Sequence, residues 1–539
     1  MEEHKHDKIS RCLKNTIQYV ENLLGPNDDF VVRRFDVLGQ HSAAMLYISN
    51  MVDQAITNTD ILKPLMYGPP HLENQKIETH QLKEVLLKDC LYHSEGKLEN
   101  NLNNIVEAVL SGETVVVIEG LDHAFRISSR KIEKRSVEQP QTEQVIRGAR
   151  EGFIEQLGTN IALMRYRLQT PNFRVKSIKI GRQIKSKVAI CYLEGNVNPA
   201  LVEEVMNRLS AIDIDGILDS GYIEQFIEDH KFSPFPQVQF TERPDKAIAS
   251  ILEGRVLIMV DGSPMGLIVP AVFSQFYQTM DDYSERFLMG SLVRLVRLVA
   301  ILFSLVFSSL YVSVISFNPE LIPTEFAVAV AGGRAGVPFP AVIEVLVMEI
   351  SMEVLREATL RLPQQVGGAL SIVGVLVVGQ AAVSAGFASP ITVVVIALTT
   401  IGSFATPAYN AAIALRMLRF PLIILAGIFG LYGVMIGLIL IINHMLSLKS
   451  FGVPYLSPIV PGDFQGMKDT VMRAPLWWMP KRPGQLHPPN KYRLGSDVEQ
   501  IKQPPSNTLD PLKVGNERWN EADGVSSTDH RDPGRRDSD

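Results

Sequence analysis

Ionisable side chains interrupt an otherwise apolar part of this sequence, in the run EFAVAVAGGRAGVPFPAVIEVLVMEISMEVLRE that begins at Glu325. The charged residues inside the run are Arg334, Glu344, Glu349, Glu353, Arg356 and Glu357. A charge at bilayer depth is costly unless it is paired or faces water, so such residues mark either an ion path or a buried ion pair. The run therefore predicts a polar feature inside a membrane.

The acidic residues fall at helical spacing. Glu349, Glu353 and Glu357 follow the i, i+4, i+8 pattern and form one stripe along the helix. Glu344 lies partly to one side of this stripe around the helix axis. Glu353 and Glu357 are also expected where such a helix emerges at the inner surface. Glu344 and Glu349 have apolar neighbours on both sides and are the stronger candidates, because one glutamate per subunit gives a homo-oligomer a cation-selecting ring. Arg334 is a candidate ion-pair partner, which would make the same residues a structural pair instead.

Two further stretches carry seams of one residue class at helical spacing. The polar seam consists of Thr399, Ser403, Thr406 and Asn410. The small-residue seam consists of Ala426, Gly430, Gly433 and Gly437. Positions at this spacing share one face of a helix. The polar seam predicts either a water-facing ion path or interhelical hydrogen bonds, and the small seam predicts close packing of helix backbones in lipid.

Several apolar segments must position these residues. Stretches long enough to span a membrane run from Leu298 to Phe317, Val366 to Ala388, Ile391 to Leu415 and Leu422 to Leu446. A fifth, Phe326 to Leu355, is broken by Gly332-Gly333-Arg334 and by Pro338-Phe339-Pro340, which predicts a discontinuous helix or a re-entrant loop. We expect an α-helical transmembrane bundle over 290–450 with four to six membrane segments, one of them broken or re-entrant.

The distribution of basic residues predicts the orientation. Arg286, Arg294 and Arg297 flank the first span on its N-terminal side, so the preceding region is expected in the cytoplasm. A final span ending near Leu446 would leave a basic tail outside. That conflict disappears if the stretch from Phe451 to Gly462 dips back through the membrane, or if an earlier crossing is re-entrant.

The region before the spans reads as a tandem repeat. VEAVLSGETVVVIEG from Val106 and IASILEGRVLIMVDG from Ile248 each give a helix end, a glycine, a β-branched strand and an acid-Gly turn, about 142 residues apart. We predict two similar α/β lobes at 28–140 and 160–285, joined by a charged linker at 141–160 and preceded by an extension at 1–27. A Pro-rich basic region at 451–493 and a disordered tail at 494–539 follow. The fold class is a multi-domain membrane protein.

Composition excludes several function classes. A net charge of −6 does not favour nucleic-acid binding. Cys12, Cys90 and Cys191 show neither metal-ligand spacing nor an even disulfide framework, so no metal site is predicted. The lobes contain no phosphate-binding loop, dinucleotide fingerprint or HExxH motif. We therefore predict a protein that is not an enzyme and binds no cofactor.

Long ordered strings resemble one protein family. They include GYIEQFIEDHKFSPFPQVQFTERPDKAIASILEGRVLIMVDGSP from Gly221, SIVGVLVVGQAAVSAGFASP from Ser371, LRFPLIILAGIFGLYGVMIGL from Leu418 and SFGVPYLSPIVPGD from Ser450. The charged run described above belongs to the same match, which extends from about Asp29 to Arg493. These strings resemble the A-subunit family of bacterial spore germination receptors, the GerA family. The element MPKRPGQLHPPNKYR from Met479 resembles the nutrient-receptor A subunits more than the related stage-V sporulation paralogue.

The resemblance implies an integral protein of the inner spore membrane that oligomerises as a nutrient-gated cation channel. It also implies two partners, a permease-like B subunit and a lipoprotein C subunit. Two other hypotheses stay open from the residues: a solute transporter, because broken helices with midplane charge mark transporters too, and a membrane scaffold whose lobes recruit other germination proteins.

Overall fold

A computed structural model describes residues 8–69, 77–91, 96–131, 139–360 and 377–495. The first lobe is built on an antiparallel sheet with the spatial order β1-β2-β4-β5-β3. Its strands are β1 (Phe30–Val37), β2 (His41–Ile48), β3 (Lys97–Glu99), β4 (Thr114–Ile118) and β5 (Ala124–Ile127). Helices α1 (Leu13–Leu24) and α2 (Leu102–Leu110) cover one face, and helical stretches at 54–67 and 79–90 cover the other. Both faces of β4 are therefore buried, as its unbroken TVVVI sequence predicts.

The second lobe has the same sheet topology, in the order β6-β7-β9-β10-β8. Its strands are β6 (Phe173–Ile180), β7 (Ser186–Leu193), β8 (Gln239–Thr241), β9 (Val256–Val260) and β10 (Gly266–Val269). Helices α3 (Leu157–Arg167) and α6 (Pro244–Glu253) cover one face, and α4 (Pro199–Ser210) and α5 (Ser220–Ile227) cover the other. Strand β9 begins at residue 256 and β4 at residue 114, which reproduces the 142-residue offset of the sequence repeat.

The lobes contact each other through a buried ion pair. Arg165 of α3 donates from Nε and Nη2 to the two carboxylate oxygens of Asp29, at 2.5 and 2.7 Å. The side chain of Asn27 accepts a hydrogen bond from the backbone N–H of Val175 at 2.8 Å.

Helix α1 packs into the core of the first lobe because its Ile17, Val20 and other apolar residues fall on one face. The prediction of a separate extension at 1–27 is thus wrong for this helix, which belongs to the lobe.

The C-terminal half is helical. Its helices are α7 (Phe287–Phe317), α8 (Thr324–Arg334), α9 (Ala341–Leu360), α10 (Pro390–Phe404) and α11 (Tyr409–Ser447). Helix α7, and α11 when it is counted over its full length across the turn at Gly430 described below, are long and apolar enough to cross a membrane, which indicates a membrane-associated protein. Residues 335–340 separate α8 from α9, at the Gly/Pro-rich break that the sequence predicts. The first part of the predicted span Val366 to Ala388, up to residue 376, lies outside the described residues. Within the described part of this span, residues 377–384 are helical.

The predicted continuous span from Ile391 to Leu415 is wrong. Helix α10 ends at Phe404 and α11 begins at Tyr409, so the span is interrupted at 405–408. The physical reason is Pro407, which has no backbone N–H to donate and disfavours helical conformation in the residue before it, Thr406.

Helix α11 folds back on itself at Gly430, where φ is 62° and ψ is −141°. A Cβ atom placed on Gly437 would lie 2.7 Å from Cδ1 of Leu422, although a straight helix would separate these residues by about 22 Å. Leu418 and His444 likewise line one cavity of about 350 Å³. Residues 409–429 and 431–447 are therefore two antiparallel arms. The prediction of one continuous span from Leu422 to Leu446 is wrong, because glycine accepts the positive φ that this turn requires.

The hairpin returns the chain to the lobes. Beside the start of its first arm, the N–H of Ala408 donates to the carbonyl of Phe276 at 3.3 Å. At the end of the second arm, His444 Nε2 lies 2.9 Å from the hydroxyl of Ser233. The tip at Gly430 packs against Phe317, the far end of α7. Both ends of α11 therefore lie on the side of the lobes.

The C-terminal region lies against the second lobe. The hydroxyl of Ser450 donates to the carbonyl of Gln237 at 2.7 Å, and the N–H of Phe273 donates to the carbonyl of Tyr455 at 2.8 Å. The hypothesis that the stretch from Phe451 to Gly462 dips back through the membrane is thus wrong. The hairpin makes the return instead, so the basic region at 451–493 shares the side of the lobes without conflict. The predicted disordered tail lies outside the described residues beyond 495.

Candidate functional site: a buried charged layer

Helix α9 carries two carboxylates into the middle of the helical bundle. Glu344 is 1% exposed and Glu349 is 4% exposed. The opposite face of the same helix is exposed and apolar, with Ile343, Val347 and Ile350 outward. This division follows from helical spacing, since residues three and four apart share a face. Glu344 and Glu349 are therefore placed inside the bundle and not on its outer surface.

Glu344 lies at the end of the bundle far from the lobes. Arg334 donates from Nε to Glu344 Oε2 at 3.3 Å, so this cation pairs with Glu344 across the break between α8 and α9. The backbone N–H of Ser389 donates to Glu344 Oε1 at 2.5 Å. Ser389 also caps α10, and its hydroxyl lies 3.0 Å from that of Thr392, which in turn lies 3.0 Å from the Tyr311 hydroxyl on α7. One carboxylate thus joins a polar chain that reaches four helices.

Glu349 lies five residues further along α9, about one and a half turns, and also contacts several helices. Arg419 on the first arm of α11 donates from Nη1 to Glu349 Oε2 at 2.7 Å. The hydroxyl of Ser308 on α7 donates to Glu349 Oε1 at 2.7 Å, and Thr399 on α10 approaches the same oxygen at 3.5 Å. Arg419 itself is only 3% exposed. The pair therefore holds α7, α9, α10 and α11 together in an apolar surrounding.

Glu353 is a third carboxylate on α9 and lies nearer to the lobes than Glu349. Glu353 accepts from Arg356 at 2.6 Å and from Arg416 at 3.3 Å, and its side chain is partly exposed. Arg356 also donates to the Ser403 hydroxyl at 3.3 Å. We name the set Arg334, Glu344, Glu349, Glu353, Arg356, Arg416 and Arg419 the charged layer. Its charges are paired, across helices in every pair except Arg356–Glu353 within α9, and pairing is the condition under which buried charge is tolerated.

The predicted polar seam is divided by the end of α10. Thr399 and Ser403 face the charged layer, and Ser403 both donates to the Thr400 carbonyl and accepts from Arg356. Thr406 lies between the helices, and Asn410 lies in the first turn of α11, so the four residues do not share one helix face. The Thr406 hydroxyl and the Asn410 amide nitrogen are buried without a hydrogen-bond partner among the described residues.

The predicted small-residue seam lies at the hairpin. Gly430 makes the turn, Ala426 is fully buried, and Gly433 and Gly437 face the opposite arm closely enough that a side chain would overlap it. The small residues therefore pack the two arms of one helix together, with Phe317 of α7 against the turn.

Sequence reasoning missed the uncharged groups around the glutamates. Ser308 donates to Glu349 and the Ser389 N–H donates to Glu344, while Thr392 and Tyr311 continue the hydrogen-bond chain from Ser389. A signal was present on α7, where Ser304, Ser308 and Tyr311 recur at helical spacing within an apolar stretch. All three are buried in the bundle.

A second polar cluster joins the start of α7 to the second lobe and the C-terminal region. Arg294 is fully buried and pairs with Asp282 at 3.1 Å and with Asp469 at 2.8 Å. Arg297 pairs with the same Asp282 at 3.1 Å. Burial raises the pKa of Tyr283 well above its ordinary value, so its phenol stays protonated and donates to Asp469 at 2.7 Å. These contacts attach the start of α7 to the second lobe and to the C-terminal region.

The described residues contain no group of three or more histidine, cysteine, aspartate or glutamate side chains placed to hold a metal ion. The charged layer offers paired ions and hydroxyls in place of a nucleophile with an adjacent base. The arrangement holds paired charges inside an apolar bundle.

The chain is similar to known proteins over most of its length. Residues 18–485 match the family model for the Bacillus/Clostridium GerA spore germination protein. Spore germination protein KA of Bacillus subtilis (strain 168) is 41% identical over 492 residues, covering 91% of this chain and 89% of the relative. A protein of the same organism named as the uncharacterized membrane protein YfkQ is 41% identical over 484 residues, covering 90% and 93%.

One solved structure is also similar in part. The crystal structure of the N-terminal domain of the A subunit of the Bacillus megaterium spore germinant receptor GerK3 has 32% sequence identity and a TM-score of 0.38. The match covers 49% of this chain and 97% of that one. The family match spans both lobes and the helical half, and its relatives are spore germination proteins of the A type. This chain belongs to the GerA family of spore germination proteins.

Proposed function

We propose that this chain is the A subunit of a nutrient receptor and forms an oligomeric, nutrient-gated cation channel in the inner spore membrane. Its lobes are in the cytoplasm, and it acts with a permease-like B subunit and a lipoprotein C subunit. The observation that carries the proposal is the burial of Glu349 where four helices meet, with the guanidinium group of Arg419 as its ion-pair partner. Carboxylates inside a membrane bundle are a common means of selecting cations.

In the proposed closed state, the guanidinium groups of Arg334 and Arg419 pair with Glu344 and Glu349 and so occupy the positions where a permeating cation would contact these carboxylates. Opening separates α9 from α8 and from the first arm of α11, and the freed carboxylates then face the ion path. Thr399 and Ser403 supply hydroxyl oxygens along the same path. Nutrient binding on the partner subunit shifts the population toward this state. The Arg294–Asp282–Asp469 cluster supports the proposal, because it links the second lobe to α7, which carries Ser308.

The proposal is tested by ion efflux from vesicles that contain the purified receptor. We expect Glu349→Gln to raise cation efflux without nutrient, because an amide holds Arg419 less strongly than a carboxylate does. Glu344→Gln is expected to act in the same direction through Arg334. Glu357→Gln is the matched control, since Glu357 lies on the exposed face of the same helix. Wild-type efflux in both buried variants, at equal protein level, would exclude these residues from the path.

A solute transporter is the second candidate, and one observation favours it. Interrupted elements in the described part of the helical half include the α8–α9 break and the α11 turn at Gly430. Discontinuous helices form the binding sites of many transporters. Uptake of a labelled nutrient in proportion to its concentration, without a cation current, would favour this candidate over the channel.

A further inference from the structure

Large apolar side chains are exposed in one short part of the C-terminal region. Phe464 is 87% exposed, Met472 60%, Trp477 43% and Trp478 58%. We name residues 464–481 the interfacial segment. Exposed apolar side chains concentrated in this way mark an interaction surface.

The interfacial segment is held alongside the first two turns of α7. The rings of Phe287 and Trp477 meet edge to face with centroids 6.3 Å apart. The hydroxyl of Ser291 donates to the carbonyl of Arg473 at 2.9 Å and accepts the Arg473 N–H at 3.1 Å. One turn further, Arg294 donates to the carbonyl of Asp469 at 2.7 Å. The segment is therefore fixed at a defined height on a helix that is long enough to span a membrane.

The length of α7 places this height at the membrane surface. Its 31 residues extend about 46 Å, whereas the hydrocarbon core of a bilayer is about 30 Å thick and needs about 20 residues. The core and both headgroup regions together measure about 40–45 Å, so a helix of this length reaches through both of them, and its first two turns lie in the headgroup region on the side of the lobes. Leu288, Met289 and Leu292 are nevertheless exposed and apolar there. The apolar surface of α7 thus continues onto the interfacial segment.

The composition of the segment matches that position. Tryptophan concentrates at membrane interfaces because its ring is apolar and its N–H is polar. Lys468 and Lys481 are exposed within the same stretch, and basic side chains near an anionic leaflet are attracted to it. We propose that residues 464–481 form a membrane-surface anchor that inserts Phe464, Trp477 and Trp478 among the headgroups of an anionic leaflet.

Native tryptophan fluorescence tests the anchor in the full chain. The sequence has three tryptophans, so Trp519→Phe leaves only Trp477 and Trp478 as reporters. The variant is reconstituted in vesicles of phosphatidylcholine and phosphatidylglycerol that contain lipid brominated either near the headgroup or near the chain end. We expect strong quenching by the shallow bromines, weaker quenching by the deep ones and little quenching by aqueous acrylamide.

Two results would overturn the proposal. Quenching by acrylamide but by neither brominated lipid would place the segment in water. Protection from acrylamide and from both lipids would show that protein covers it, either a second copy of this chain or another subunit. A charge variant adds a readout that packing alone does not move: Lys468→Gln and Lys481→Gln are each expected to lower the ratio of inserted to free segment about fivefold on anionic vesicles. No difference from wild type on anionic vesicles would contradict the role of charge.

Discussion

The ion pair between Glu349 and Arg419 makes a prediction that depends on which partner is removed. Among the described residues, the Arg419 side chain has one hydrogen bond, to Glu349, and its Nε has no partner. Glu349 also accepts from Ser308. If Arg419 is replaced by methionine, Glu349 keeps the Ser308 hydroxyl as a hydrogen-bond donor. If Glu349 is replaced by leucine, the guanidinium cannot lose its charge. We therefore expect Glu349→Leu to destabilise the chain more than Arg419→Met.

The magnitude follows from burial. Both side chains are almost fully buried, and removal of one partner of such a pair costs about 3–5 kcal/mol. For a folding unit of about 200 residues, this cost lowers the melting temperature by about 6–20 °C. The double variant removes both charges together and is expected to recover most of the loss, because an apolar pair of similar volume is often neutral in such a site.

Thermal unfolding of the detergent-solubilised chain measures all three variants at one scan rate. Glu357→Gln is the control for a carboxylate on the exposed face of α9. Equal effects of the two single variants would refute the argument about uncompensated charge. A double variant whose loss equals the sum of the single losses would refute the pair itself, since independent sites are additive.

Three further predictions concern other parts of the chain. Gly430→Ala is expected to cost about 1–3 kcal/mol in unfolding experiments because of its positive φ, whereas Gly332→Ala, with open space around the added methyl, should not destabilise; equal costs would contradict the hairpin. Burial, followed by nearby carboxylates, raises the pKa of Glu224 from 4.5 to about 7, so the folded state binds an extra proton and loses stability as pH rises through that interval. Glu224→Gln should therefore melt higher than wild type above pH 7 and equally below pH 4.5, and a pH-independent difference would refute this pKa. Iodoacetamide is expected to label exposed Cys12 in the native protein before Cys90, because burial raises the pKa of the Cys90 thiol to about 11; mass spectrometry showing equal rates would contradict it.

Much of the fold was predictable because local signals agreed with the tertiary structure. Acid-Gly turns and β-branched runs predict the hairpins of both lobes, and glycine and proline predict the break between α8 and α9. The position of Glu344 and Glu349 inside the bundle follows from apolar residues on both sides of them. In each case the signal acts over a few residues, so the sequence alone contains it.

The rest depended on information that periodicity does not carry. The glycines of α11 fit a continuous helix as well as a hairpin, since spacing does not reveal which glycine adopts a positive φ. The end of α10 was signalled by Pro407 but hidden by the apolar stretches on either side of it. The partners of Glu349 come from three other helices, and their meeting is a property of packing that one sequence does not express.

The central claim is that the chain conducts cations along a path closed by buried ion pairs. Recording from a planar bilayer that contains this chain with the proposed B and C subunits tests it most directly. We predict cation-selective current steps that need nutrient in wild type and in Glu357→Gln, and that occur without nutrient in Glu349→Gln. Absence of cation-selective steps from the assembled wild-type receptor, or steps identical in all three proteins, would contradict the account.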